Sequence, residues 1–305
     1  MKELILGCLV IIGHVAQAGT LLYVQQEVNP SAIYSYMPPM RIPTYLLGGP
    51  YLVTRGLGDD IYFPTHDYKA DCVGFVAPGR YIHGNDKLVL QSYGMQTGIG
   101  LAGPAKTNNA NDHYISALYV DYFSPGDDVR PWHDAESFIL EAQVSVPVFR
   151  LKAGDIGYIQ YSVLMEDTSS DQFVWWVWQL YDNRPEKSLE GVGVDITVDG
   201  GDYSYVTTTF APNLLYSTTS PHSTSFQHGA WEELRWFGSA ITRQNFERGI
   251  DKLIQQFPKN ARLSRNPEDY RLRKFYFYGE LYLQDSKSST SKICAQSYRA
   301  LLKSE

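Results

Sequence analysis

The chain has 305 residues, of which 14% are aromatic and only 19% charged, and its plentiful apolar side chains exclude a disordered polypeptide and suffice to bury a core. A net charge of −7 and the lack of any Lys/Arg run argue against nucleic acid as a partner.

The first 18 residues have the layout of a secretory signal. Lys2 precedes an apolar run from Leu4 to Val15, and Ala16-Gln17-Ala18 is an A-x-A cleavage site. The apolar run is too short to span a bilayer, so no membrane partner is expected once the signal is removed. The mature chain is expected to be secreted, extracellular or periplasmic. It would keep two cysteines, Cys72 and Cys294. An even count in a secreted chain permits a disulfide between them; two separate buried thiols are the alternative.

Residues 19–110 read as an extended N-terminal arm and the first strands of a sandwich whose main body is 111–305, the two forming a single domain. The prolines of the segment from Asn29 to Pro43 rule out a helix or a central strand there. Gly94 to Asp112 reads as a surface loop and Tyr114 to Phe123 as a strand. From Phe138 the period-2 pattern is clear. Phe138, Leu140, Ala142, Val144 and Val146 line one face of a strand; Ile159, Tyr161, Val163 and Met165 line the apolar face of the next.

The segment from Phe173 to Asp182, FVWWVWQLYD, is apolar on both faces, with Phe173, Trp175, Val177, Gln179 and Tyr181 opposite Val174, Trp176, Trp178 and Leu180. Either face would suit a core, and a row of indoles would also stack on a ligand. Val192 to Val198 and Tyr203 to Phe210 flank Asp199-Gly200-Gly201-Asp202, a hairpin turn. One helix is predicted from Thr242 to Phe257, with Thr242 as N-cap, Pro258 as stop, and Phe246, Ile250, Leu253, Ile254 and Phe257 on one side. The loop that holds His222, His228 and Trp231 is expected to overhang a sheet.

The last informative strand runs from Arg271 to Gln284. Phe275, Phe277, Leu281 and Leu283 form a core face, while Lys274, Tyr276, Tyr278, Glu280, Tyr282 and Gln284 share the other. Alternating phenols with ammonium, carboxylate and amide groups suits a glycan groove, where rings supply contact area and polar groups fix orientation.

The segments FILEAQVSVP, YIQYSVLMEDTSSDQFVWWVWQLYDNR and YRLRKFYFYGELYL, with a short helix before the last, resemble the concanavalin A-like jelly roll of legume-type lectins, secreted glucanases and several polysaccharide lyases. The resemblance covers roughly residues 110–285. It implies an all-β fold, a jelly-roll β-sandwich of two antiparallel sheets with one short covering helix and a concave face for saccharide. Catalysis does not follow from it, because the fold hosts enzymes and binders alike. The Glu-x-Asp-x-(x)-Glu strand of jelly-roll glucanases is absent. The alginate-lyase-like strand Tyr-Phe-Lys-x-Gly-x-Tyr-x-Gln is matched at Tyr276, Phe277, Tyr282 and Gln284, but not at Tyr278 or Glu280, and the family's Gln-x-His strand has no counterpart.

The resulting expectation is a secreted, lectin-like protein that binds a carbohydrate or polysaccharide through Lys274, Tyr276, Tyr278, Glu280, Tyr282, Gln284, Trp176 and Trp178. A binder is favoured over an enzyme. The alternatives are a lyase on the same sheet, with Tyr282 moving the proton, and a structural extracellular protein without a glycan site. No cofactor or metal is expected. Asp127-Asp128 and Asp199 with Asp202 offer oxygen ligands to a structural Ca²⁺, but turn chemistry accounts for the same residues without a metal and is the favoured reading.

Overall fold

The computed structural model describes residues 20–24, 50–55, 81–84, 88–93, 96–102 and 113–121 as strands, and residues 128–184, 190–196, 202–225, 230–284 and 290–305 as longer stretches. The strands are β1 (Thr20–Val24), β2 (Pro50–Arg55), β3 (Tyr81–Gly84), β4 (Leu88–Tyr93), β5 (Gln96–Ala102), β6 (His113–Asp121), β7 (Ser137–Arg150), β8 (Ile156–Asp167), β9 (Gln172–Asp182), β10 (Gly191–Ile196), β11 (Asp202–Thr209), β12 (Thr218–Thr219), β13 (Trp231–Thr242), β14 (Tyr270–Tyr282) and β15 (Lys292–Ser304). A single α-helix among the described residues, α1 (Arg243–Gln256), separates β13 from β14.

Two sheets result. One has the order β12-β13-β7-β15-β5-β4-β3, with β1 also paired to β15; the other has the order β10-β11-β9-β8-β14-β6-β2. Consecutive segments repeatedly change sheet, β7 to β8 and β14 to β15 among them, so two apolar faces close on each other. Among the described strands every pairing is antiparallel except that of β9 with β11. The chain leaves β9, skips one position to form the edge strand β10, then turns back to insert β11 between them. The sheets are therefore not wholly antiparallel, in contrast to the sequence expectation. The β10–β11 hairpin itself forms as anticipated, with Ile196 opposite Asp202.

The core follows the period-2 pattern. Phe138, Leu140, Val144 and Val146 of β7 face Ile159, Tyr161, Val163 and Met165 of β8, all at 0% exposure. Phe275, Phe277 and Leu281 of β14 point the same way. Trp176 and Trp178 lie in this core, and their indole N–H groups have no acceptor. Their placement is thus driven by apolar burial, which outweighs the cost of an unpaired N–H.

Helix α1 starts where its cap dictates. The Thr242 hydroxyl accepts from the Asn245 N–H at 3.1 Å, and the Asn245 side chain returns a bond to the Thr242 backbone. This reciprocal box contributes about 1 kcal/mol. Phe246, Ile250 and Leu253 are fully buried. The Phe246 ring stacks on Trp176 at 5.3 Å and meets Trp132 at 4.4 Å and Tyr270 at 4.6 Å. The helix covers one end of the sandwich, beside β10, β11 and β13.

Candidate functional site

The site lies on the face of the second sheet that points away from the core. On β14 it carries Lys274, Tyr276, Tyr278, Glu280 and Tyr282. A register shift between Leu272 and Lys274 adds Arg273 to the same face as Arg271. Cross-strand pairing fixes the neighbours. On β8, Glu280 faces Tyr158, Tyr278 faces Gln160, Tyr276 faces Ser162 and Lys274 faces Leu164. On β9, Tyr158 faces Asp182, Gln160 faces Gln179, Ser162 faces Val177 and Leu164 faces Trp175.

Aromatic rings form a continuous row across this face. Tyr203 meets Trp175 at 6.3 Å, Trp175 meets Tyr276 at 4.8 Å, and Tyr276 meets Tyr278 at 6.1 Å. The row continues from Tyr278 to Tyr158 at 6.5 Å and from Tyr158 to Tyr282 at 6.2 Å. Between Trp175 and Tyr276 the β8 residues are Ser162 and Leu164, short enough for indole and phenol to meet over them. At the outer edge the Tyr205 ring occupies the space a side chain on Gly193 would need, since a Cβ there would stand 2.2 Å from its Cζ.

The floor of this row is polar and buried. Glu280 is 8% exposed, and its Oε2 accepts from the Tyr282 hydroxyl at 2.9 Å. Burial first, then the Glu280 charge, pushes the phenols of Tyr158 and Tyr278 well above the ordinary tyrosine range. Across Tyr158 lies Asp182, fully buried. Gln179 Nε2 donates to its Oδ2 at 2.8 Å, and Arg184 donates from its backbone N–H, Nε and Nη2 at 2.8, 2.9 and 2.6 Å. Held in this way, Arg184 sits over the Tyr158 ring at 5.2 Å. At the opposite end of β14, Glu166 pairs with Arg271 at 2.7 Å and with Arg273. Burial alone would raise the Glu166 pKa, but the two guanidinium groups hold it below the usual carboxylate range.

Several sequence expectations are placed or corrected by this geometry. Lys274, Tyr276, Tyr278, Glu280 and Tyr282 do share one face. Trp176 and Trp178 do not join them: both are at 0% exposure in the core, and the indole on the groove side is Trp175. Apolarity on both faces of β9 hid this choice. Tyr181 also departs from its expected face. A register shift opposite Ile159 and Gln160 turns it inward, where its ring meets Phe149. Gln284 lies past the end of β14; its backbone N–H donates to Asp155 Oδ1 at 2.8 Å and its side-chain amide lies against Gly154. Trp231 is buried in the other sheet and donates to the Val144 carbonyl at 2.9 Å, and the 220–225 segment runs along β13 rather than over the groove.

The residues missed were Trp175, Tyr158, Gln160, Gln179, Asp182 and Arg184. The sign that would have found Tyr158 and Gln160 is their alternation with Ile159 and Tyr161 on β8.

Cys294 is fully buried and disulfide-bonded; Cys72, its expected partner, lies outside the described residues, as do the expected signal segment, His228, Asp127 and Asp199. Asp128 accepts from Arg130 Nε at 3.0 Å. Among the described residues no cluster of three or more His, Cys, Asp or Glu side chains could hold a metal ion, and no helix is long and apolar enough to cross a membrane.

No family model matches the chain, and no curated protein matches it. Among solved structures it resembles the family 11 xylanase of Neocallimastix patriciarum, with 10% identity and a TM-score of 0.34 over 75% of this chain and 98% of that one. It also resembles the xyloglucanase domain of NopAA, a type three effector of Sinorhizobium fredii solved with cellobiose, with 8% identity and a TM-score of 0.35 over 76% and 95%. The endoglucanase cel12A of Rhodothermus marinus gives 10% identity and a TM-score of 0.34 over 73% and 92%. The lectin-like function expected from the sequence is corrected by the groove itself: two of the expected stacking residues, Trp176 and Trp178, are core residues, and a buried carboxylate, Glu280, occupies the groove floor. The two packed sheets, crossed repeatedly by the chain and covered by α1, make the jelly-roll β-sandwich expected from the sequence.

Proposed function

We propose that the groove over β14 is the active site of a glycoside hydrolase that cleaves a polysaccharide backbone, with Glu280 as the carboxyl group that moves the proton. The observation that carries this reading is the position of Glu280. A carboxylate is sunk in the floor of a row of phenols, accepting a hydrogen bond from Tyr282. A sugar chain stacked on Tyr276, Tyr278, Tyr158 and Tyr282 would bring its linkage oxygen close to that group. Hydrolysis needs a proton delivered to the leaving oxygen while water adds at the anomeric carbon, and a buried, phenol-bonded carboxyl suits that transfer.

Asp182 is the other carboxylate on the described floor of the β8–β9–β14 centre. It stands two strand spacings from Glu280, roughly 10 Å between backbones. Four donors occupy its oxygens, so its role in this reading is to hold Arg184 over Tyr158 and to set the local field. A secreted location, as the N-terminal segment implies, suits an enzyme whose substrate is a polymer.

The test is release of reducing sugar from xylan, xyloglucan and soluble cellulose by the mature protein and by Glu280→Gln. Release by the native chain that the variant loses is the expected result. An ultraviolet-absorbing unsaturated product would instead mean elimination, and no release from any polymer would overturn the assignment.

A further inference from the structure

The ring row extends far beyond Glu280. Four ring-to-ring steps of 4.8 to 6.5 Å connect Tyr282, beside the carboxylate, to Trp175 two strands away, and a further step reaches Tyr203 on β11. This extension depends on three features of the fold. The parallel pairing of β11 with β9 sets Tyr205 directly opposite Trp175, with Tyr203 alongside. Short groove-face residues on β8 let Trp175 lean over to Tyr276. The core face of β9 takes Trp176 and Trp178, so the one indole left on the other face is Trp175, half-buried and clear of the core. Lys274 lies in the same cross-strand row as Trp175, with Leu164 between them. Asp121 of β6 stands opposite Lys274 in register.

A half-buried row of rings of this kind, on the sheet face away from the core, flanked by a cation and phenol hydroxyls and remote from the reacting carboxylate, has the composition of a sugar-binding platform. We infer that Trp175, with Tyr203 and Tyr276, forms a distal subsite. It grips a remote residue of the same glycan chain, which runs obliquely across the strands from Glu280 toward β11. The inference rests on the hydrolase reading and adds a chain-length requirement to it: the substrate is a long, linear glycan, and binding at Trp175 supplies affinity rather than chemistry.

The experiment measures kcat and KM on oligosaccharides of increasing length and on polymer, for the native protein, Trp175→Ala and Trp175→Phe. In parallel, migration through gels cast with polymer is followed for Glu280→Gln alone and combined with Trp175→Ala. The expected result is a loss that grows with chain length, reaching roughly tenfold in KM on the longest substrates, with much of it restored by Trp175→Phe. Retardation by polymer should survive Glu280→Gln and be lost in the double variant. A loss equal at all lengths, or none, overturns the distal subsite even where Glu280→Gln is inactive. Activity that persists in Glu280→Gln overturns the role given to Glu280 instead, while the gel result still judges the platform.

Discussion

The Tyr282 hydroxyl and Glu280 Oε2 are 2.9 Å apart on the same face of β14, two residues along one strand. Alternation alone brings them side by side, and burial of Glu280 makes the bond count. Removing the carboxylate should therefore do more than removing the phenol's proton. Glu280→Gln is expected to lower kcat by about 10²–10⁴-fold, the usual weight of a general acid. Tyr282→Phe should lower it by about 10- to 100-fold, matching a lost hydrogen bond to a charged group. Comparable losses in the two variants, measured on the same polymer, would mean that the Tyr282 hydroxyl takes part in the reaction itself rather than only supporting Glu280.

Alkali should unfold this protein through its tyrosines. Tyr158 and Tyr278 in the groove, and Tyr161 and Tyr270 in the core, all have phenols pushed upward, by burial first in each case. A raised folded-state pKa means that the native form holds the proton more tightly than the unfolded form. That stability is complete below about pH 10, where free tyrosine titrates, and is lost as pH rises beyond it. Denaturant midpoints measured from pH 8 to 11.5 should fall above pH 10, with the buried phenols ionising together as the fold is lost. Tyr158→Phe should soften that fall. Free titration of all tyrosines near pH 10 in the folded protein would contradict the burial described for them.

The acid side is governed partly by Glu166. Its pKa is depressed because Arg271 and Arg273 both donate to it, against the contrary effect of burial. A depressed carboxylate contributes stability that is present above its unfolded pKa of about 4.3 and is lost as pH falls below that value. Glu166→Gln should destabilise the protein at pH 7 and make its stability less dependent on pH between 5 and 3. An unchanged acid slope in urea titrations would show that the triad adds nothing net, as buried ion pairs sometimes do.

What could be read from the sequence follows from where its pattern was one-sided. β7, β8 and β14 each pair an apolar face with a polar or phenolic one, so their core residues were legible. Helix α1 was legible because Thr242, Pro258 and a 3.6-residue apolar period agree. On β9 both faces are apolar, and alternation says only that Trp175 opposes Trp176, not which of them is inside. Helix α1 settles it, since Phe246 and Gly249 pack on Trp176. Strand irregularities were equally hidden. The shift at Leu272/Lys274 puts Arg273 on the groove face, where strict alternation assigns it to the core, and the shift on β9 turns Tyr181 inward. The neighbours of Glu280 on β8 and β9 depend on register between distant segments, which no local pattern contains.

The two adjacent indoles of β9 give the sharpest contrast between core and groove. Trp176 is at 0% exposure, stacked on Phe246, and Gly249 of α1 approaches it so closely that a Cβ there would be 2.6 Å from its Cη2. Trp175, one residue before, is half-buried against Tyr276. Trp176→Ala should cost about 3–5 kcal/mol, the range for emptying an aromatic core site. Trp175→Ala should cost far less in stability while weakening polymer binding. Gly249→Ala tests the packing from the other side. Helix propensity alone would make it favourable by about 1 kcal/mol, yet the contact with Trp176 should reverse the sign and destabilise by about 1–3 kcal/mol. Urea unfolding of the three variants decides the matter: a Trp175→Ala penalty as large as that of Trp176→Ala, or a Gly249→Ala variant more stable than the native chain, would mean that the face assigned to the core is the wrong one.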